Sequence, residues 1–162
     1  KGDAFIDEIP TGIKNSYPAI ANMVEHNLRK VIVEERPTNP KYFDKMSVIL
    51  DDIIAEKNQQ RIDYEEYLKK IIKLTKRVVM DDQDSYPANI NKTELKALYD
   101  NLDQDEELAL KIDKSIKTSY RPGYIGNVIK ERAVKNPLIE LVGEDRVDEI
   151  FELIKNQDAY RI

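Results

Sequence analysis

The sequence has no cysteine and only one histidine, His26. Without cysteine, the chain can form neither a disulfide nor a thiolate metal site. A Ser-His-Asp or Cys-His site would need His26 as its base. Because His26 falls in the middle of a predicted helix, off the main apolar stripe, we interpret it as an ordinary helix residue.

Long apolar runs are also missing. No stretch approaches the roughly 18 residues of a membrane span, and the start of the chain has no apolar core of a signal peptide. We therefore expect no membrane partner and a cytoplasmic location. Glycine is scarce, with five residues among 162, and 35% of the residues are charged. This composition favours helices over a strand-rich sandwich, which needs more turn residues.

Nucleotide-binding motifs are absent too. The chain contains neither G-x-x-x-x-G-K-[ST] nor G-x-G-x-x-G. The nearest approach is "GYIGNVIK", residues 123–130, where no lysine follows the second glycine. We therefore expect no ATP binding by this chain and no cofactor of its own.

Apolar residues recur at three- and four-residue spacing from residue 16 onwards, which is the helical period. Good N-caps precede several of these runs, including Ser16, Asn39 before Pro40, and Asp63 with Glu66 three residues later. The pattern predicts an all-α fold, a compact bundle of about seven or eight amphipathic helices.

The sequence also predicts a helix break at residues 121–123, followed by a helix entered at Gly126-Asn127. Val128, Ile129 and Val134 of that helix are predicted to be available for packing.

Two further helix starts are predicted, at Asp103 and at Asn136 before Pro137, with Gly143 closing the second of these helices. Residues 1–15 have little periodicity and are interpreted as an extended lead-in from an upstream domain. Residues 16–162 are predicted to form a single helical domain, a fragment of a longer protein.

Carboxylates are abundant, but their spacing is poor for catalysis. Asp82 followed by Glu94 and Lys96 matches the sequence pattern of metal-dependent nucleases. However, Glu94 and Lys96 fall in a predicted helix, where that pattern requires a strand. Residues 103–107 resemble part of a calcium loop but lack its glycine and its closing glutamate. Helix capping explains these acids better, and an independent metal-dependent enzyme is the weakest hypothesis.

Charge has a local pattern. The net charge of −5 and the pI near 5.1 argue against a surface that clamps nucleic acid as a whole. Two basic clusters nevertheless remain as candidate contacts for DNA or a protein partner. The alternative interpretation is that they are solvated helix faces. The first cluster is Lys69, Lys70, Lys73, Lys76 and Arg77, and the second is Lys114, Lys117, Arg121, Lys130, Arg132 and Lys135. The candidate contacts among them are Lys69, Lys73, Lys76, Arg77, Arg121, Lys130, Arg132 and Lys135.

Four strings in order give the chain a family resemblance. They are "NPKYFDKMS" (39–47), "LYDNL" (98–102), "GNVIKERAVK" (126–135) and "IKNQDAY" (154–160). Together they resemble the motor (R) subunits of type I restriction-modification enzymes, in the helical region towards the C-terminus. Where the family pattern has a Trp-Arg pair before the Gly-Asn, this chain has Tyr124 and Ile125.

The resemblance implies a role without catalysis. No residue here matches the family's nuclease or ATPase motifs, so this fragment is not expected to be an enzyme. The parent would be an ATP-dependent type I site-specific deoxyribonuclease that uses ATP and Mg²⁺. The implied function is an interaction domain that supports the DNA translocase and docks it on the methyltransferase core of modification and specificity subunits. Its partners would be other domains of the R subunit and that core.

A second hypothesis remains open beside docking. The two basic clusters could guide duplex DNA by contacting its phosphates. This interpretation gains if Lys69, Lys73 and Lys76 share one surface with Lys130, Arg132 and Lys135.

Overall fold

Helices account for most of the chain. A computed structural model describes residues 16–80 and 83–161, and no strand occurs among them. The all-α prediction is confirmed. The predicted lead-in, residues 1–15, and Asp82 of the nuclease-like pattern lie outside the described residues. The described helices are α1 (Tyr17–Glu35), α2 (Pro40–Asn58), α3 (Tyr64–Val79), α4 (Thr93–Asn101), α5 (Glu106–Ser119), α6 (Val128–Val142) and α7 (Glu144–Lys155).

Side-chain caps start several of these helices as predicted. Asp63 accepts a hydrogen bond from the N–H of Glu66 at 2.8 Å and so caps α3. Asn39 precedes Pro40, and its side-chain oxygen accepts from the N–H of Tyr42 at 3.4 Å. Each bond satisfies a donor that has no partner within the helix. Ser16 stands at the N-cap of α1, but its side chain makes no capping bond there.

Two predicted helix starts are wrong. Helix α5 is capped by Asp105, which accepts from the N–H of Leu108 at 2.9 Å. Asp103 instead adopts a left-handed backbone conformation with φ of 57°, which a helix cannot contain. One acidic residue near a helix start resembles another in the sequence, and only the backbone shows which one turns into the helix.

Helix α6 is also continuous where the sequence predicted a new start. It begins after Asn127, whose side chain accepts from the N–H of Lys130 at 3.1 Å, and it runs through Pro137. Proline removes one helical hydrogen bond, leaving the carbonyl of Ala133 without its usual partner. Ala133 is exposed, so water can satisfy that carbonyl. Gly143 ends the helix as predicted, with φ of 82°.

Contacts between Cα atoms divide the chain into two compact units. The described part of the first contains residues 16–36 and 43–80, and that of the second contains residues 37–42 and 83–161. The prediction of a single domain over 16–162 stays a prediction, because two compact units can belong to one domain. None of the described helices is both long and apolar enough to cross a membrane.

The first unit is built from α1, most of α2, and α3. Its core joins Leu28 and Ile32 of α1 to Met46 and Leu50 of α2 and Leu68 of α3, all buried. Part-buried polar contacts also link these helices. The hydroxyl of Tyr67 in α3 donates to the carboxylate of Glu25 in α1, and the ammonium of Lys70 donates to Glu56 in α2.

The second unit packs α4 to α7 around a core that includes Leu98, Ile112, Leu138 and Phe151. The start of α2 belongs to this unit because polar side chains hold it there. The amide nitrogen of Asn101 donates to the side-chain oxygen of Asn39 at 2.8 Å, and that of Asn39 donates to Asp100 at 2.7 Å. The side-chain amide of Gln157 also donates to the carbonyl of Thr38 at 2.6 Å.

Candidate interaction surfaces

The segment between α5 and α6, residues 120–127, carries the first candidate surface. Helix α5 ends at Ser119, so the predicted helix break at residues 121–123 is confirmed. Gly123 and Gly126 have φ of 65° and 83°, a region that favours glycine. Glycine is therefore needed here for the backbone to turn, and no phosphate-binding role is required to explain it.

The first turn of α6 holds this segment in place. The ammonium of Lys130 donates to the carbonyl of Pro122 at 2.7 Å. The carboxylate of Glu131 accepts from the N–H of Gly126 at 2.9 Å, and Asn127 caps the helix as described above. Three side chains of "NVIKE" are thus used to fix the loop that precedes them.

Tyr124 packs the same segment against α7. Its ring is buried and meets Phe151 of α7 edge-on, with ring centroids 6.2 Å apart. Its hydroxyl is buried and has no hydrogen-bond partner among the described residues. Burial raises the pKa of this hydroxyl.

Three large apolar side chains, on this segment and on the first turn of α6, face solvent. Ile125 is 44% exposed, Val128 62% and Ile129 81%. The sequence predicted that Val128, Ile129 and Val134 would be available for packing, and only Val134 is buried. We call Ile125, Val128 and Ile129, together with the neighbouring Arg121 and Arg132, the connection surface. Clustered exposed apolar side chains with a polar rim are typical of protein-binding surfaces.

The cations of the second basic cluster differ in what they contact. The ammonium of Lys135 pairs with Asp148 at 2.8 Å and lies 4.7 Å from the ring centroid of Phe151. Arg121 donates to the carbonyls of Thr118 and Tyr120. Arg132 is exposed and forms no ion pair with the part of the chain that the structure describes. With Lys130 bound to Pro122, Arg132 is the cation best placed to meet a partner.

The first basic cluster lies on α3, in the other unit. Lys69 pairs with Glu65 of the same helix at 3.1 Å. Lys73 is exposed and Lys76 is half-buried, and neither forms an ion pair with the described residues. Arg77 is exposed one residue further on. The two basic clusters therefore belong to different units, and whether they share one surface stays a prediction.

A groove lies beside these cations. It has a volume of about 510 Å³ and runs between α2 and α3. Its apolar lining was not predicted, because Ile49 and Ile53 belong to α2 whereas the basic cluster lies on α3. We call it the α2–α3 groove. Its lining consists of Ile49, Ile53, Leu74 and Met80 with Lys70, Lys73, Lys76 and Arg77.

The remaining candidate residues that the structure describes lie on α1 and α4. His26 is exposed on α1. Glu94 and Lys96 lie on α4, and the ammonium of Lys96 is 5.1 Å from the ring centroid of Tyr86. Within residues 16–80 and 83–161, no group of three or more histidine, aspartate or glutamate side chains is placed to hold a metal ion.

Fold and surfaces together define an all-α protein with two candidate interaction surfaces. Comparison of the chain with protein-family models, with curated proteins and with solved structures finds no match. The resemblance to type I restriction R subunits therefore stays a prediction, carried by the four strings alone.

Proposed function

We propose that this chain is a non-catalytic interaction region of a type I restriction endonuclease R subunit. It would support the ATP-dependent translocase and dock it on the methyltransferase core through the connection surface. The single observation that carries docking is the exposure of Ile125, Val128 and Ile129 where the first turn of α6 fixes the loop that precedes it. Two of these residues, Val128 and Ile129, lie within the string "GNVIKERAVK" of the resemblance.

Physical considerations favour a protein partner for this surface. When a partner removes exposed apolar side chains from water, the free energy of the system falls, which favours binding. A segment that is already ordered loses little conformational entropy when it binds. Arginine, as at position 132, is common in protein interfaces because its planar group makes several directed hydrogen bonds.

Val128→Asp and Ile129→Asp are expected to weaken assembly of the full-length R subunit with the methyltransferase core by about tenfold or more each. An aspartate in a buried contact loses its hydration without gaining a partner, and tenfold corresponds to about 1.4 kcal/mol. Both side chains are exposed, so the helical circular dichroism of the variants should be unchanged. Analytical ultracentrifugation of the mixed subunits gives the affinity.

The matched control is Val33→Asp. Val33 is 66% exposed on α1, close to the 62% of Val128, but it lies outside the connection surface. It receives the same change of charge and should assemble normally. If Val128→Asp assembles as well as Val33→Asp, the connection surface is not the docking site.

Duplex DNA is the alternative partner. It is favoured by Lys73 and Lys76, which form no ion pair with the described residues and are available to phosphates. The parent protein would use ATP and Mg²⁺ in its other domains. No cofactor is proposed for this chain.

A further inference from the structure

The α2–α3 groove combines two kinds of surface that a single ligand must match. We call its apolar lining the floor, which is formed by Ile49 and Ile53 of α2, Leu74 of α3 and Met80 immediately after α3. Its edge is basic, formed by Lys70, Lys73, Lys76 and Arg77. Lys70 is already neutralised by Glu56, so the positive charge that can act on a ligand comes from Lys73 and Lys76, which form no ion pair with the described residues.

This combination distinguishes between classes of ligand. Phosphates of duplex DNA need cations at suitable spacing but gain nothing from an apolar floor. A small anion would contact the cations and leave the floor open to water. An amphipathic helix matches both features, because residues three and four apart along it present one apolar stripe.

The dimensions agree with such a ligand. The groove has a volume of about 510 Å³. It accommodates a few aliphatic side chains from one face of a helix. Met80 is 66% exposed at one end of the groove, and methionine adapts its shape to varied apolar partners.

We propose that the α2–α3 groove binds an acidic amphipathic helix of a partner protein. Apolar side chains of that helix enter the floor, and carboxylates beside its apolar stripe pair with Lys73 and Lys76. This site shares no residue with the connection surface, and the proposal does not depend on the proposed identity of the parent.

Two synthetic peptides of about 15 residues test the charge preference. Both carry leucine at positions three and four apart, and their flanking positions are all glutamate in one and all lysine in the other. The full chain is expected to bind the glutamate peptide at least about tenfold more tightly than the lysine peptide, measured by fluorescence anisotropy. Equal affinities, or no binding of the glutamate peptide, would overturn the proposal.

Two pairs of variants test the position of the site. Lys73→Glu should weaken the glutamate peptide at least about tenfold, whereas Lys69→Glu, with the same change in net charge but outside the groove, should change it less than about twofold. Met80→Ser should weaken binding severalfold, whereas Val79→Ser should not. Val79 is 67% exposed, similar to the 66% of Met80, but it does not line the groove.

Each alternative outcome has a clear signature. If Lys69→Glu weakens the peptide as much as Lys73→Glu, the attraction is not local and the groove is not the site. If a duplex DNA binds, is weakened by Lys73→Glu and is insensitive to Met80→Ser while the peptides do not bind, the basic edge is a phosphate contact and the proposal fails. Circular dichroism verifies that each variant remains folded.

Discussion

Phe151→Ala is expected to lower the free energy of unfolding by about 3–5 kcal/mol, the largest effect of a single substitution considered for this chain. Phe151 is buried in the core of the second unit, and its ring meets that of Tyr124. The ammonium groups of Lys135 and Lys155 lie 4.7 Å and 5.3 Å from its ring centroid. Truncation removes these contacts and leaves a cavity that the surrounding helices fill only in part.

The same substitution should also affect docking. Tyr124 rests on Phe151, and the segment that carries the connection surface rests on Tyr124. Phe151→Ala should therefore weaken assembly even though Phe151 touches no partner. Phe151→Leu is the control, since it keeps most of the apolar volume and should lose clearly less stability. Chemical denaturation measures the free energy of unfolding of both variants. A loss below about 1 kcal/mol for Phe151→Ala would contradict the packing described here.

Three of the nine tyrosines, Tyr67, Tyr124 and Tyr160, are expected to ionise only when the protein unfolds in alkali. The pKa of each of these hydroxyls is raised, and burial is the largest cause. Tyr67 also donates to the carboxylate of Glu25, and Tyr160 donates to Asp113 at 2.6 Å. A hydrogen bond to a carboxylate favours the protonated phenol, since a phenolate could not donate and would be repelled.

The sign of the pH dependence follows from these raised values. Tyrosine in an unfolded chain has a pKa near 10. The stabilisation from the three buried phenols is therefore complete below about pH 10 and is lost as the pH rises from there towards the folded-state values. Their tyrosinate absorbance should appear in one step with the loss of helical circular dichroism. Tyr160→Phe should lower the amplitude of that step by the contribution of one tyrosine, and ionisation of these three tyrosines before unfolding would contradict their burial.

Much of the helical architecture was predictable because it depends on local chemistry. The pair Asp63 and Glu66, three residues apart, predicts a helix start. The expected hydrogen bond from the N–H of Glu66 to the Asp63 carboxylate is present. The break at residues 121–123 is equally local. Position 137 was misread because proline is tolerated both at a helix start and, where water can satisfy the freed carbonyl, within one.

The candidate surfaces were less predictable, because exposure depends on long-range packing. Val128 and Ile129 have the spacing of core residues, and only the fold shows that no described helix covers them. The basic run on α3 was visible in the sequence, but its apolar neighbours Ile49 and Ile53 belong to another helix. Lys130 illustrates the reverse case: its charge suggested a partner contact, and its ammonium holds the carbonyl of Pro122.

Hydrogen–deuterium exchange of the R subunit, free and assembled with the methyltransferase core, is the most direct test of the docking proposal. The amides of Val128 and Ile129 lie in the first turn of α6, where backbone donors have no partner within the helix, so they should exchange rapidly in the free subunit. On assembly, exchange over residues 125–132 is predicted to slow at least about tenfold, while exchange around Val33 stays the same. Unchanged exchange over residues 125–132 in a fully assembled complex would contradict docking through the connection surface.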